Sequence, residues 1–235
     1  MDMRIEPEIG GCSIVILGYF NPAIFAPQWF AKYDIVSQTE ADNAQLSLMV
    51  PDFVNFKLGS KAIVVDPSRF SVETAEAPWV AICDLTVKTF AEFLPHTPLF
   101  KLGINRQVHF GVGNEELRNR IGRLLAPTEP WGEWGAKIRE SPKELRGGFT
   151  SLTMQETWKQ GDYRGHYQAK IEPSLQLGGA SGIFVQVNHH CEPLEFKEGD
   201  GAEKIVRFLI ENFSQSLRYS EWIIDQIMKL KEDVG

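Results

Sequence analysis

Apolar and polar positions along this chain repeat in two periods, one of two residues and one near 3.6. An apolar run from Cys12 to Phe20 reads as a buried strand. It leads into Asn21-Pro22, a helix N-cap followed by a proline at the first helical position, so a helix is expected over 22–33. That helix carries Ile24, Phe25, Trp29 and Phe30. Strand material follows at 45–58 and 61–74, broken by Pro51-Asp52, Leu58-Gly59-Ser60 and Asp66-Pro67. Trp79, Ile82, Leu85, Thr89, Phe90 and Phe93 make one face of a helix over 78–94.

The same order of elements then recurs. A strand is expected over 100–112 and a helix over 114–125, again opened by an asparagine, Asn114. A connection rich in Pro, Gly and Trp spans 126–148. Strands follow at 149–158, 163–172 and 182–191, and a long helix over about 202–230 closes the chain. Residues 1–98 and 99–235 therefore read as two similar halves, each a strand, a helix, several antiparallel strands and a closing helix. This is an α+β pattern, with helices on one face of an antiparallel sheet and the two halves free to merge into one compact domain. The order suits one continuous curved sheet with a pseudo-twofold axis. At the level of fold it resembles the TATA-binding-protein superfold, a likeness that carries no function.

The strands of the second half alternate cleanly. Leu152, Met154, Trp158, Tyr167, Ile171, Val185, Val187, Val108 and Phe110 fall on a face for the helices to cover. Asn105, Gln107, His109, His166, Gln168, Gln186, Asn188 and His190 fall on the other, which is expected to stay wet. Amides and imidazoles both donate and accept hydrogen bonds, so this face is a candidate recognition surface as well as a solvated one. Trp131 and Trp134, in the long connection, are its candidate aromatic anchors; the competing expectation is that they plug the loop into the core.

Sites for chemistry are sparse. Gly111-Val112-Gly113 joins a strand to a helix, but Glu116 stands where a dinucleotide fingerprint needs its third glycine. His189-His190-Cys191 is the densest run of metal-ligand types, with His189 and Cys191 on one side of the strand and His190 on the other. His109, His166 and His190 make a three-histidine metal site thinkable if their strands adjoin. No spacing of the Cys-x-x-Cys or His-Glu-x-x-His kind supports it, so no metal and no cofactor is expected. There is no Gly-x-Ser-x-Gly turn, Gly179-Ala180-Ser181-Gly182 reads as a hairpin loop, and Cys83 reads as core.

The net charge of -7 narrows the partners. Residues 1–98 hold six Lys+Arg against twelve Asp+Glu, and residues 99–235 hold eighteen against nineteen. Binding to phosphate backbones needs clustered cations, and the only modest cationic bias lies between Lys101 and Arg146, so nucleic acid is not the expected partner. No apolar run nears the ~20 residues of a membrane span, so no membrane partner is expected. The first residues lack the pattern of a secretory signal. Three distant cysteines, Cys12, Cys83 and Cys191, argue against a disulfide framework and for a cytoplasmic setting.

Leu17-Gly18-Tyr19-Phe20-Asn21-Pro22, with Phe25, Pro27 and Trp29-Phe30, resembles the N-terminal signature of a sporadically distributed bacterial family of about this length, one without an assigned activity. Leu102-Gly103-Ile104-Asn105 and His109-Phe110 resemble its second motif. The resemblance implies a bacterial protein of the mobile, defence-linked kind. Taken together, the expectation is a non-catalytic protein-interaction module: an adaptor, antitoxin-like or accessory subunit with a protein partner. The alternatives are a metal-dependent hydrolase using His109, His166 and His190, and a nucleic-acid binder on a saddle-like sheet.

Overall fold

The computed structural model describes residues 3, 5–142, 148–178, 180–197 and 199–234. Part of the 126–148 connection and Gly179 of the expected hairpin loop lie outside the described residues. Strand β1 (Ile9–Gly18) ends on Tyr19-Phe20, and Asn21 Oδ1 then accepts the Ala23 amide at 3.2 Å. The cap is real but starts only a 3-10 turn, Pro22–Ile24. A separate helix α1 (Pro27–Lys32) follows. The single helix expected over 22–33 breaks because Pro27 has no amide to give to the residue four before it. Helix α2 (Gln38–Asp42), capped by the Ser37 hydroxyl, is too short to leave a periodic trace in the sequence.

The strand material divides at its turn residues into β2 (Gln45–Val50), β3 (Phe53–Leu58), β4 (Lys61–Asp66) and β5 (Arg69–Thr74). Helix α3 (Val80–Lys88) runs on into a π turn, Thr89–Phe93. In the second half β6 (Leu99–Gly111) leads to α4 (Glu115–Leu125), whose Asn114 cap accepts from the Leu117 amide at 2.9 Å. The connection expected to be irregular holds a 3-10 turn, Glu129–Trp131, and a helix α5 (Gly132–Glu140). Strands β7 (Leu152–Gln160), β8 (Tyr163–Pro173) and β9 (Gly182–Pro193) precede α6 (Glu203–Val234), a helix roughly 48 Å long at ~1.5 Å per residue.

Among the described residues the protein is thus α+β, with nine strands in one open antiparallel sheet and six α-helices. The strand order is β2-β3-β4-β5-β1-β6-β9-β8-β7. β1 and β6 pair antiparallel at its centre along nearly their whole length, with Ile14 opposite Ile104. Helices α3 and α6 pack on one face. Under them Ile14, Phe25, Phe30, Phe56, Phe70, Phe90, Leu102 and Phe213 form a buried cluster drawn from both halves of the chain. A second cluster, including Val108, Phe110, Val185, Ile224 and Met228, lies under the C-terminal part of α6.

Candidate functional site

Antiparallel register decides which side chains meet on the uncovered face. Asn105 of β6 stands opposite Asn188 of β9, which stands opposite Gln168 of β8 and then Gln155 of β7. The next row is Gln107, Gln186, Lys170 and Thr153. On the other side lie Gly103, His190, His166 and Thr157. Seven of the eight polar residues expected on this face therefore meet in these rows, at the ~4.8 Å strand spacing of a sheet, while His109 lies farther along β6. The face also continues into the first half, where Ser13 opposes Asn105 and Glu73 opposes Ser13. That extension escaped the sequence reading, although Cys12, Ile14 and Ile16 alternate with it.

The centre of this face is crowded. Asn105 is 7% exposed and Ser13 is 4% exposed. Asn188 Oδ1 is buried without a hydrogen-bond partner. Gly103 makes the room for it, since a Cβ there would meet Asn188 Oδ1 at 3.0 Å. Beside it the rings of His166 and His190 stack with centroids 4.8 Å apart. His190 titrates below the ordinary imidazole value because it is buried and because His166 lies next to it. Glu192 is the charge hub of this corner, 2.7 Å from Arg164 and 3.2 Å from Lys101. Burial pushes its carboxyl up, but those two bonds outweigh burial and hold it below the usual range.

His109 is elsewhere. It pairs with Phe184, six residues along β6 from the Gly103–His190 pair, or roughly 20 Å at ~3.3 Å per residue. Its Nδ1 lies 2.8 Å from Ser174 Oγ, which already accepts the Gln176 and Leu177 amides. The serine proton therefore goes to Nδ1, and Nε2 carries the hydrogen. Burial keeps this imidazole neutral by lowering its pKa. The three-histidine site is thus corrected: His166 and His190 meet, and His109 does not join them. Among the described residues no group of three or more His, Cys, Asp or Glu is placed to hold a metal ion.

His189, on the covered face, is 4% exposed and stacks on Tyr167 at 4.0 Å. Ser216 Oγ donates to the Asn212 carbonyl at 2.7 Å, so His189 Nδ1–H donates to Ser216 at 2.6 Å. Desolvation first, then His190 and His166, bring this imidazole down to about 4. The buried thiols of Cys12 and Cys83 are pushed up to about 12, chiefly by burial, and Cys191 is also raised. At neutral pH none of them supplies a thiolate.

Trp131 and Trp134 are not plugged into the core. Each is 59% exposed, and their rings meet edge-on at 5.4 Å. They sit at the start of α5, off the sheet, so register does not bring them into the rows of the polar face. Among the described residues no helix is long and apolar enough to cross a membrane. In comparison with known proteins, the chain matches no family model and no curated protein.

Proposed function

We propose that the protein is a non-catalytic interaction module that receives a protein partner on the polar face of its sheet. The observation that carries this reading is the cluster Gln107, Gln186, Gln168 and Gln155, four at least partly exposed amides in adjacent strands on the face opposite the helices, around the buried Asn105. Amides match the donors and acceptors of a polypeptide without needing charge. Charge favours a protein over nucleic acid here. Lys101 and Arg164 are already tied to Glu192, and Lys170 to Glu172 at 2.7 Å, which leaves few cations for a phosphate track. Trp131 and Trp134 are assigned to the same partner as an aromatic contact beside the sheet.

The halves are read as a duplication with a TATA-binding-protein-like arrangement. What supports this is the strand order, in which β5, β4 and β3 follow β1 outward as β9, β8 and β7 follow β6. Membership of the bacterial family, and with it a cytoplasmic, defence-linked accessory role, belongs to the same proposal and rests on the Leu17–Pro22 and Leu102–Asn105 patches.

A photo-crosslinking residue at Gln168 in the native host tests the reading. It should capture one defined protein, whereas the same probe at exposed Ile210 on α6 should not. Trp131→Ala or Trp134→Ala should weaken that capture more than Gln107→Ala, with folding intact. Nuclease-sensitive capture, or equal capture from Ile210, would overturn it.

A further inference from the structure

Away from the polar face, three arginines line one cavity of about 260 Å³ beside α4 and α5. Arg118 and Arg123 come from α4 and Arg139 from α5, with Thr128, Ile138 and Phe149 also in the wall. The Arg118 guanidinium donates to Asn119 Oδ1 at 3.1 Å, and that of Arg139 to Thr128 Oγ1 at 2.9 Å. Their carboxylate neighbours, Glu115 and Glu129, are 3.5 and 3.6 Å away on side chains 52% and 70% exposed. Exposed pairs of that length contribute little free energy, so a better-placed anion can displace them. Arg123 forms no ion pair among the described residues. With Arg118 and Arg139 each facing one carboxylate and Arg123 facing none, the cavity keeps an excess of positive charge that favours an anion. The apolar wall is fixed as well, because Gly122 lies against the Phe149 ring and any side chain there would collide with it.

We propose that this cavity binds a small phosphate monoester. Three guanidinium groups exceed what one carboxylate would neutralise, and they suit a dianion with three strong acceptor oxygens. Ile138 and Phe149 give apolar contact to a compact organic body. The cavity is smaller than the roughly 300–1,000 Å³ typical of sites for drug-sized ligands, so the body is a few carbons rather than a nucleotide. This site is independent of the sheet face and of any partner there.

Calorimetric titration of the full chain tests it, with glycerol 3-phosphate, inorganic phosphate and glycerol as probes. Glycerol 3-phosphate should bind more tightly than inorganic phosphate, and glycerol should not bind. Arg123→Ala, at an exposed position, should raise the Kd for the ester at least tenfold with the melting temperature unchanged; Arg123→Lys should lose less. Binding should weaken as pH falls through ~6, where the phosphate takes its second proton. No heat from millimolar ester would overturn the proposal. So would equal affinity in an Arg123→Ala/Arg139→Ala protein, or binding of inorganic phosphate with no gain from the ester.

Discussion

His189 shows how a single residue ties packing to pH. Its folded value of about 4 lies below the ordinary ~6.5, so the folded state favours the neutral ring. Stability from this group is full above ~6.5 and is lost as pH falls from there toward 4, where the unfolded chain binds a proton that the folded chain refuses. The loss by pH 4 is on the order of 3 kcal/mol. His189→Phe keeps the stacking on Tyr167 and orphans nothing, since the Ser216 proton already goes to Asn212. Urea midpoints at neutral and acid pH should therefore fall less steeply in the variant than in the parent, and parallel slopes would refute the assignment. Phe30 makes a separate case at this scale. It is fully buried among Phe25, Trp29 and Phe56, so Phe30→Ala should cost roughly 3–5 kcal/mol. Trp29, only half-buried, should cost less, and the order of the two melting temperatures checks it.

At the scale of elements, polar residues on the covered face decide how α6 docks. Arg106 of β6 is 4% exposed, bonds the Gly11 and Gln107 carbonyls, meets Glu221 of α6 at 3.2 Å and lies 4.8 Å from the Trp79 ring. Removing Glu221 leaves that guanidinium buried without its countercharge. Glu221→Ala should therefore cost about 3–5 kcal/mol, whereas Arg106→Met with Glu221→Leu should recover most of it. If chemical denaturation finds the single variant as stable as the parent, the pair does not anchor α6. Arg106 also marks where sequence reading reached its limit. Alternation located the strands and both faces of the second half, because the period of two survives in β6, β8 and β9. It passed over Arg106, Ser174 and Gly103, whose roles come from partners that are distant in sequence. Helix α5 leaves no stripe in the sequence because it has two glycines in nine residues, and the sequence leaves Trp131 and Trp134 open between surface anchors and core plugs, since nothing in it marks their exposure. Alternation puts the three histidines on one face of adjoining strands; only register separates His109 from the other two.

For the whole molecule, the seam between the halves is the decisive feature. β1 and β6 pair antiparallel in the middle of the sheet, and the larger apolar cluster mixes Phe25, Phe56 and Phe70 with Leu102, Phe208 and Phe213. Neither half closes a core by itself, because each exposes a long central strand and the apolar residues that the other covers. The expectation is one cooperative unfolding transition rather than two. Two tryptophans sit in different halves, although Trp79 also lies against Arg106 of β6. Trp79 precedes α3 in the first half, and Trp158 lies in β7 against Phe208 in the second. Two variants, each keeping one of these tryptophans and carrying Phe at the other five positions, should be stabilised or destabilised together by a third change at the seam. Ile104→Asp, fully buried opposite Ile14, should shift both fluorescence midpoints by the same amount. Midpoints that separate, with Trp79 reporting a stable first half while Trp158 melts early, would show two independent domains and sink the single-unit view.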